Sequence, residues 1–268
     1  MPGVLGDGAG LKSTALAVVV ALGLAAPVLG AGDPSIAKAV AVRPEATGLL
    51  NGSTVVLIAE DDLFVGQKIV TGPQGQVQIV FADDTHMVVG PGSSLVIDKY
   101  LMRNGGTASS FAVSALGGTF RFITGKSQKS AYSIATPTAT IGVRGTKFDL
   151  SVDPDTKETS VVIFEGEVHL CPKSGACESV KNKCDIGFSE TSKADLIKAG
   201  DHDHSSTSSK FPYISSQRSL QGDFKITSAG SCGQPPVFDQ ASGPKPEAAS
   251  DKPAPKPDPI PDPKPDGK

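Results

Sequence analysis

Asp201-His202-Asp203-His204 is the stretch of this 268-residue chain with the most obvious ligand chemistry. Alternating carboxylates and imidazoles can bind a transition metal, but a lone His-x-His in a serine-rich loop is a weak motif. The expectation there is a solvated loop. Cys171, Cys177, Cys184 and Cys232 admit two chemistries. With His169 nearby they could hold zinc, yet their spacings contain no C-x-x-C pair. In an oxidising compartment an even count points instead to disulfides, with three connectivities open. Cys171 and Cys177 flank Pro172-Lys173-Ser174-Gly175, a hairpin turn that makes their pairing easy. Cys184 would then pair with Cys232 and tie the C-terminal region to the core.

Other constellations fall short. Thr124-Gly125-Lys126-Ser127 imitates the end of a phosphate-binding loop, but Phe120 stands where the first glycine belongs and a strand pattern follows. Asp61-Asp62 and Asp83-Asp84 sit in turns, where aspartate hydrogen-bonds its own backbone. His86 lies in a strand pattern and reads as a surface or edge side chain. A glycosidase carboxylate pair would have to be assembled from separate strands. Nucleophile elbow, zinc-protease helix and dinucleotide turn are all missing. The expectation is a non-enzyme with no catalytic residue, no metal and no cofactor.

Composition narrows the partners. The formal net charge is −3, Trp is absent, and Lys and Arg are scattered without interleaved aromatics. Nucleic acid is therefore excluded as a partner, and so is a polybasic hold on anionic lipid. Lys12 precedes the apolar run from Ala15 to Leu29, which Pro27 interrupts and small residues Gly30 and Ala31 close. This is the pattern of a secretory signal peptide over residues 1–31, shorter than the roughly 20 residues of a comfortable membrane span. An uncleaved single-pass anchor is the competing reading. After cleavage no stable membrane span is expected, and the chain is placed in the periplasm or outside the cell. Residues 234–268, with proline at nearly every second position among Lys and Asp, read as a disordered polyproline tail.

The elements that must carry any function are strands. Gln76 to Phe81 alternates, with Val77, Ile79 and Phe81 on one face and the glutamines on the other. Similar short runs start at Thr54 and Leu63, at Thr85 and Ser94, at Phe111 and Thr119, and at Tyr132, Thr138, Thr146 and Thr159, between Gly- and Asp-rich turns. Asn104-Gly105-Gly106 is a hairpin signal. Lys193 to Lys198 alone suggests a turn or two of helix. The prediction is all-β: one sandwich or solenoid-like domain over residues 45–170, then a Cys-containing extension over 171–233. Ile134 to Leu150 reads as strand, tight turn and strand. Gly142 and Gly145 bracket Val143-Arg144, spacing that suits a turn or bulge with positive φ.

These strands resemble a known family. Phe81-Ala82-Asp83-Asp84-Thr85, Val89-Gly90-Pro91-Gly92-Ser93 and Val96-Ile97-Asp98-Lys99 are similar to one run of the FecR domain. Gly118 to Gly125, Ala135 to Thr146 and Val161 to Val168 resemble its next three motifs, in family order over roughly residues 45–170. The resemblance implies an exported, non-catalytic all-β domain with no active site to carry over. The family's best-known members are inner-membrane regulators that hold a sigma factor through a cytoplasmic N-terminal segment. About a dozen residues precede the apolar run here, too few for that segment. The expected function is a periplasmic or envelope binding or signalling module, for an envelope protein or cell-wall polymer. A membrane-anchored regulator and an unrecognised envelope hydrolase are the alternatives. Arg144 is the candidate contact residue, because a turn would present its guanidinium outward; its competing role is pairing with a nearby acid or carbonyl.

Overall fold

A computed structural model describes Gly3 and residues 34–103 and 105–233; the rest of the segment read as a signal peptide, Asn104 and the proline-rich tail lie outside the described residues. From Ser35 onward the described residues belong to one unit. Fifteen strands run in chain order: β1 (Ala37–Arg43), β2 (Ala46–Leu50), β3 (Ser53–Val56), β4 (Asp61–Leu63), β5 (Lys68–Thr71), β6 (Gln76–Phe81), β7 (His86–Val89) and β8 (Ser94–Arg103) come first. They are followed by β9 (Thr107–Ile123), β10 (Tyr132–Ala135), β11 (Ala139–Val152), β12 (Thr159–Pro172), β13 (Glu178–Val180), β14 (Ile186–Ser189) and β15 (Ala194–Ile197). The all-β expectation holds, and the strands form one continuous mixed ladder.

That ladder folds over into two facing layers because β9, β11 and β12 each serve in both. The first half of β9 pairs with β8 and, in parallel, with β10; its second half pairs with β7 and β11. Residues 139–144 of β11 lie beside β10, and residues 147–152 beside β9, with a bulge between Arg144 and Lys147. One layer therefore runs from β3 through β2, β5, β8 and β10 to β13, the other from β4 through β1, β6 and β7 to β14 and β15. Leu95, Val113 and Ile134 of the first layer close a small cavity with Met87, Phe120, Phe122 and Phe148 of the second. The shared core includes an aromatic group of Phe81, Tyr100, Phe111, Phe122 and Tyr132.

Glycines sit where the long strands bend. Gly145 and Gly166 have φ of 66° and 85°, a region costly for residues with a Cβ. A Cβ on Gly166 would lie 2.1 Å from the Gly145 carbonyl oxygen, so the two bends must nest. Gly166→Ala is expected to cost about 1–3 kcal/mol, read as a lower denaturation midpoint with unchanged secondary structure. Gly145 takes up the positive φ that the spacing suggested, but Gly142 does not. The feature is a bulge inside one continuous strand, because β12 pairs with β11 on both sides of it. Of the turn and the bulge that this spacing left open, the bulge forms, and the tight turn of the Ile134–Leu150 stretch lies earlier, where β10 turns back antiparallel onto β11.

Three readings are corrected. Lys193 to Lys198 is not helical: Ala194–Ile197 is strand β15, held by antiparallel pairing with β14. Leu63 to Val70 divides at Phe64–Gln67 into β4 and β5, which belong to different layers. The sheet also begins earlier than residue 45, with β1 between β4 and β6. After β15 the chain crosses the outer face of the second layer as a strap. It contains α1 (His204–Ser208) and α2 (Pro212–Ser215), and ends in a short 3-10 turn at Ala229–Gly233. Phe211, Ile214, Ile226 and Ala229 of the strap pack on Val162, Phe164 and Ile186, and Tyr213, Leu220 and Phe224 pack on Val88.

Candidate interaction surfaces

The alternation of β9 sends Phe120 and Phe122 into the shared core and Arg121 to the opposite face. The neighbouring strand β11 does the same with Phe148, Asp149 and Leu150, and the register places Asp149 beside Arg121. Nε of Arg121 donates to Asp149 Oδ1 at 2.7 Å and its NH2 group donates to Oδ2 at 2.9 Å. Neither residue is more than 1% exposed. The strap completes the shell: Gln217 Oε1 and the carbonyls of Phe224 and Tyr213 accept from the same guanidinium. The rings of Phe164 and Tyr213 stand 5.4 and 5.3 Å from its central carbon. Burial pushes the Asp149 carboxyl above its usual range, and Arg121 only partly pulls it back. Desolvation thus outweighs attraction, and the pair fixes where the strap lies more than it adds net stability. Gln76 and Gln78 assist, since Gln78 accepts from the Gln221 backbone N–H at 2.8 Å and both donate to the Ser219 carbonyl.

The strap's far end is covalent. Cys184 is bonded to Cys232 across 48 positions, and Cys171 to Cys177 across 6. His169, the would-be zinc partner, instead bonds Ser179 through Nδ1. The Asp201–His204 run does not converge. His202 is fully exposed beside Asp203, whereas His204 is buried with Nε2 at 2.6 Å from the Cys184 carbonyl. The solvated-loop reading therefore fails for His204, whose imidazole turns inward from the strap against the Cys184 carbonyl. Among the described residues no group of three or more His, Cys, Asp and Glu side chains is placed to hold a metal. No helix among them is long and apolar enough to cross a membrane.

The pseudo-phosphate loop has a structural job. Asp83, fully buried, accepts from Thr85 N–H, from Ser127 Oγ at 2.5 Å and from the Tyr132 hydroxyl at 2.9 Å. Gly125 N–H donates to Thr85 Oγ1, Lys126 N–H donates to the Asp83 carbonyl, and the Lys126 ammonium pairs with Asp84. Burial, reinforced by the Asp83 charge, raises the Tyr100 hydroxyl well above the usual phenol range. Asp83 is thus more than a self-capped turn residue; it knits the β6–β7 turn to the segment after β9. His86 is half-buried, its Nδ1 on the Asp84 carbonyl and its ring edge against Phe224.

Two features face solvent. Arg144 is exposed at the β11 bulge, opposite Glu167 in register, and makes no ion pair among the described residues. Its neighbour Lys147 does pair, with Glu165 at 2.7 Å. The second feature is the edge strand β3, which among the described residues pairs with β2 alone. Val55, Val56 and Ile58 are 53%, 72% and 62% exposed, a concentration of apolar surface that polar neighbours do not cover. They line a groove of about 510 Å³ between β3 and β4, floored by Leu57 and Phe64, with Asp61 and Asp62 on its wall. Sequence reading placed a strand at Thr54–Ile58 but not at a sheet edge; five consecutive β-branched or apolar residues look alike in a core strand and an edge.

Comparison with known proteins agrees with these elements. The family described as FecR protein matches residues 67–169, from the turn before β5 to the second half of β12. Two solved structures from Parabacteroides distasonis ATCC 8503, both described only provisionally as anti-sigma factors, are each 13% identical to this chain. One superposes with a TM-score of 0.39 over 48% of this chain and 57% of its own, the other with 0.40 over 53% and 63%. The chain thus spans less than two thirds of either protein's length. No curated protein matches it. Over residues 67–169, with the four motifs in order on the strands of one folded-over sheet, this chain carries a FecR domain.

Proposed function

We propose that this protein is a non-catalytic, exported binding or signalling module of the bacterial envelope. The observation that carries the reading is the exposed apolar edge at β3, a surface that costs solubility unless a partner covers it. The two disulfides fit an oxidising compartment, and the apolar segment before residue 31 fits export. Arg144, exposed at the bulge, is a second contact point. The partner is an envelope protein or a cell-wall polymer.

The test is capture from an envelope extract by the immobilised full chain. A saturable partner is expected, held less well by Arg144→Ala while thermal unfolding stays unchanged. Capture equal to that of reduced, unfolded chain would contradict the reading. Fractionation adds a second check: a mature N-terminus near Gly30 to Gly32 is expected, whereas full-length chain retained in membranes would indicate an anchored regulator.

A further inference from the structure

We infer that the β3–β4 groove takes one extended polypeptide segment of a partner protein, added as a strand to the β3 edge, with apolar side chains and a basic residue. This rests on the binding-module reading and names the surface that serves it. The backbone geometry comes first. Leu57 N–H donates to the Ala46 carbonyl at 2.9 Å, which makes Leu57–Ala46 a hydrogen-bonded pair of the antiparallel β2–β3 ladder. Such pairs alternate, so Val55 also faces β2, whereas Thr54 and Val56 turn their N–H and C=O groups away from it. No side chain or backbone group among the described residues meets these four polar groups, and all four residues of β3 are exposed. They are a template for one more strand.

Side chains then select the occupant. The groove wall is apolar at Val55, Val56, Ile58 and Phe64, which suits apolar side chains on alternate positions of an added strand. Its charged lining is Asp61 and Asp62, with no Lys or Arg. Lys38 bonds Asp62 at 3.0 Å from outside that lining, and Asp61 Oδ2 caps the Ile58 N–H, so carboxylate charge remains on the wall. A lysine or arginine at the end of the added strand complements it; an acidic segment is repelled. Proline-rich chain does not fit, because proline lacks the N–H that the outward carbonyls of Thr54 and Val56 need.

The probe is the peptide acetyl-Thr-Val-Thr-Val-Thr-Lys-Lys-amide, titrated into the full chain and followed by hydrogen exchange of the Thr54 and Val56 amides. Protection of both amides is expected, with the inward Val55 amide unaffected. Glutamate in place of the two lysines should weaken binding about threefold or more, an effect that shrinks with salt. Val56→Pro removes an outward donor without touching the β2 ladder and should weaken binding about tenfold. Val55→Ser with Ile58→Ser removes apolar wall and leaves the backbone alone, so it should also weaken binding if Val56→Pro disturbs the fold. Equal binding of the glutamate peptide, or protection that survives both variants, overturns the inference. So does a concentration-dependent dimer that Val56→Pro abolishes, since a second copy would then be the occupant. Envelope capture that persists in Val56→Pro would reject this surface and keep the binding-module reading; absence of capture by the wild type would reject that reading itself.

Discussion

Asp149→Ala should destabilise the protein by about 3–5 kcal/mol, because it leaves the Arg121 guanidinium buried with no counter-charge. For a chain of this size each kcal/mol corresponds to roughly 2–4 °C in the unfolding temperature. The loss should exceed that of any exposed ion pair here, such as Lys38–Asp62, whose partners both stand in solvent and whose removal should change stability little. The same substitution should loosen the strap, because Gln217 and the carbonyls of Phe224 and Tyr213 are positioned by the guanidinium that Asp149 fixes. Hydrogen exchange in residues 211–226 should therefore rise more than in β6 or β7. An unchanged midpoint would mean that water or another acceptor replaces the carboxylate, and the strap would need a different explanation.

The disulfides should differ in weight. In the chain-entropy account, opening the Cys184–Cys232 loop, with its separation of 48, costs about 4 kcal/mol, and opening Cys171–Cys177 costs about 2 kcal/mol. Replacing Cys184 and Cys232 by alanine should thus lower the denaturation midpoint about twice as far as replacing Cys171 and Cys177. It should also expose Phe211, Ile214 and Val162, which a hydrophobic dye would report as increased binding. If the short-loop pair proves the more costly, hairpin geometry outweighs loop entropy, and the disulfide at Cys232 is not what holds the strap down.

Much of this architecture was legible in the residues. The alternation of Gln76 to Phe81 places Val77, Ile79 and Phe81 in the core, as read, because period two is the pleat itself. Motif order named the domain. What stayed hidden was where strands continue or divide. Phe111–Ala115 and Thr119–Ile123 read as two strands across Leu116-Gly117-Gly118, yet they are one strand that bends between layers. Nothing local distinguishes a glycine at a bend from one at a turn; the partners β8, β10, β7 and β11 decide it. Lys193 to Lys198 suggested a turn or two of helix, and pairing with β14 made Ala194–Ile197 a strand instead.

The buried charges were hidden for a related reason. In Thr119-Phe120-Arg121-Phe122 the alternation predicts an arginine facing away from the core, which is correct, and by default facing water, which is not. The face it occupies is covered by residues about 90 or more positions later in sequence, a segment with no hydrophobic period of its own. His204 misleads in the same way, since its serine-rich surroundings read as solvated while its imidazole packs against Cys184. The β3 edge was unreadable because Thr54 to Ile58 has the composition of an interior strand. That mismatch between composition and exposure is what the proposed partner strand would resolve.

The most direct test is photochemical crosslinking in cells that make the full chain, with a photoreactive phenylalanine analogue in place of Val56. A control chain carries the same group in place of Asp155, which is exposed on the loop between β11 and β12. A discrete adduct with an envelope protein is expected from position 56, competed by the lysine-bearing peptide, and none from position 155. No adduct at 56, or the same adduct from both positions, would contradict a partner strand at the β3 edge.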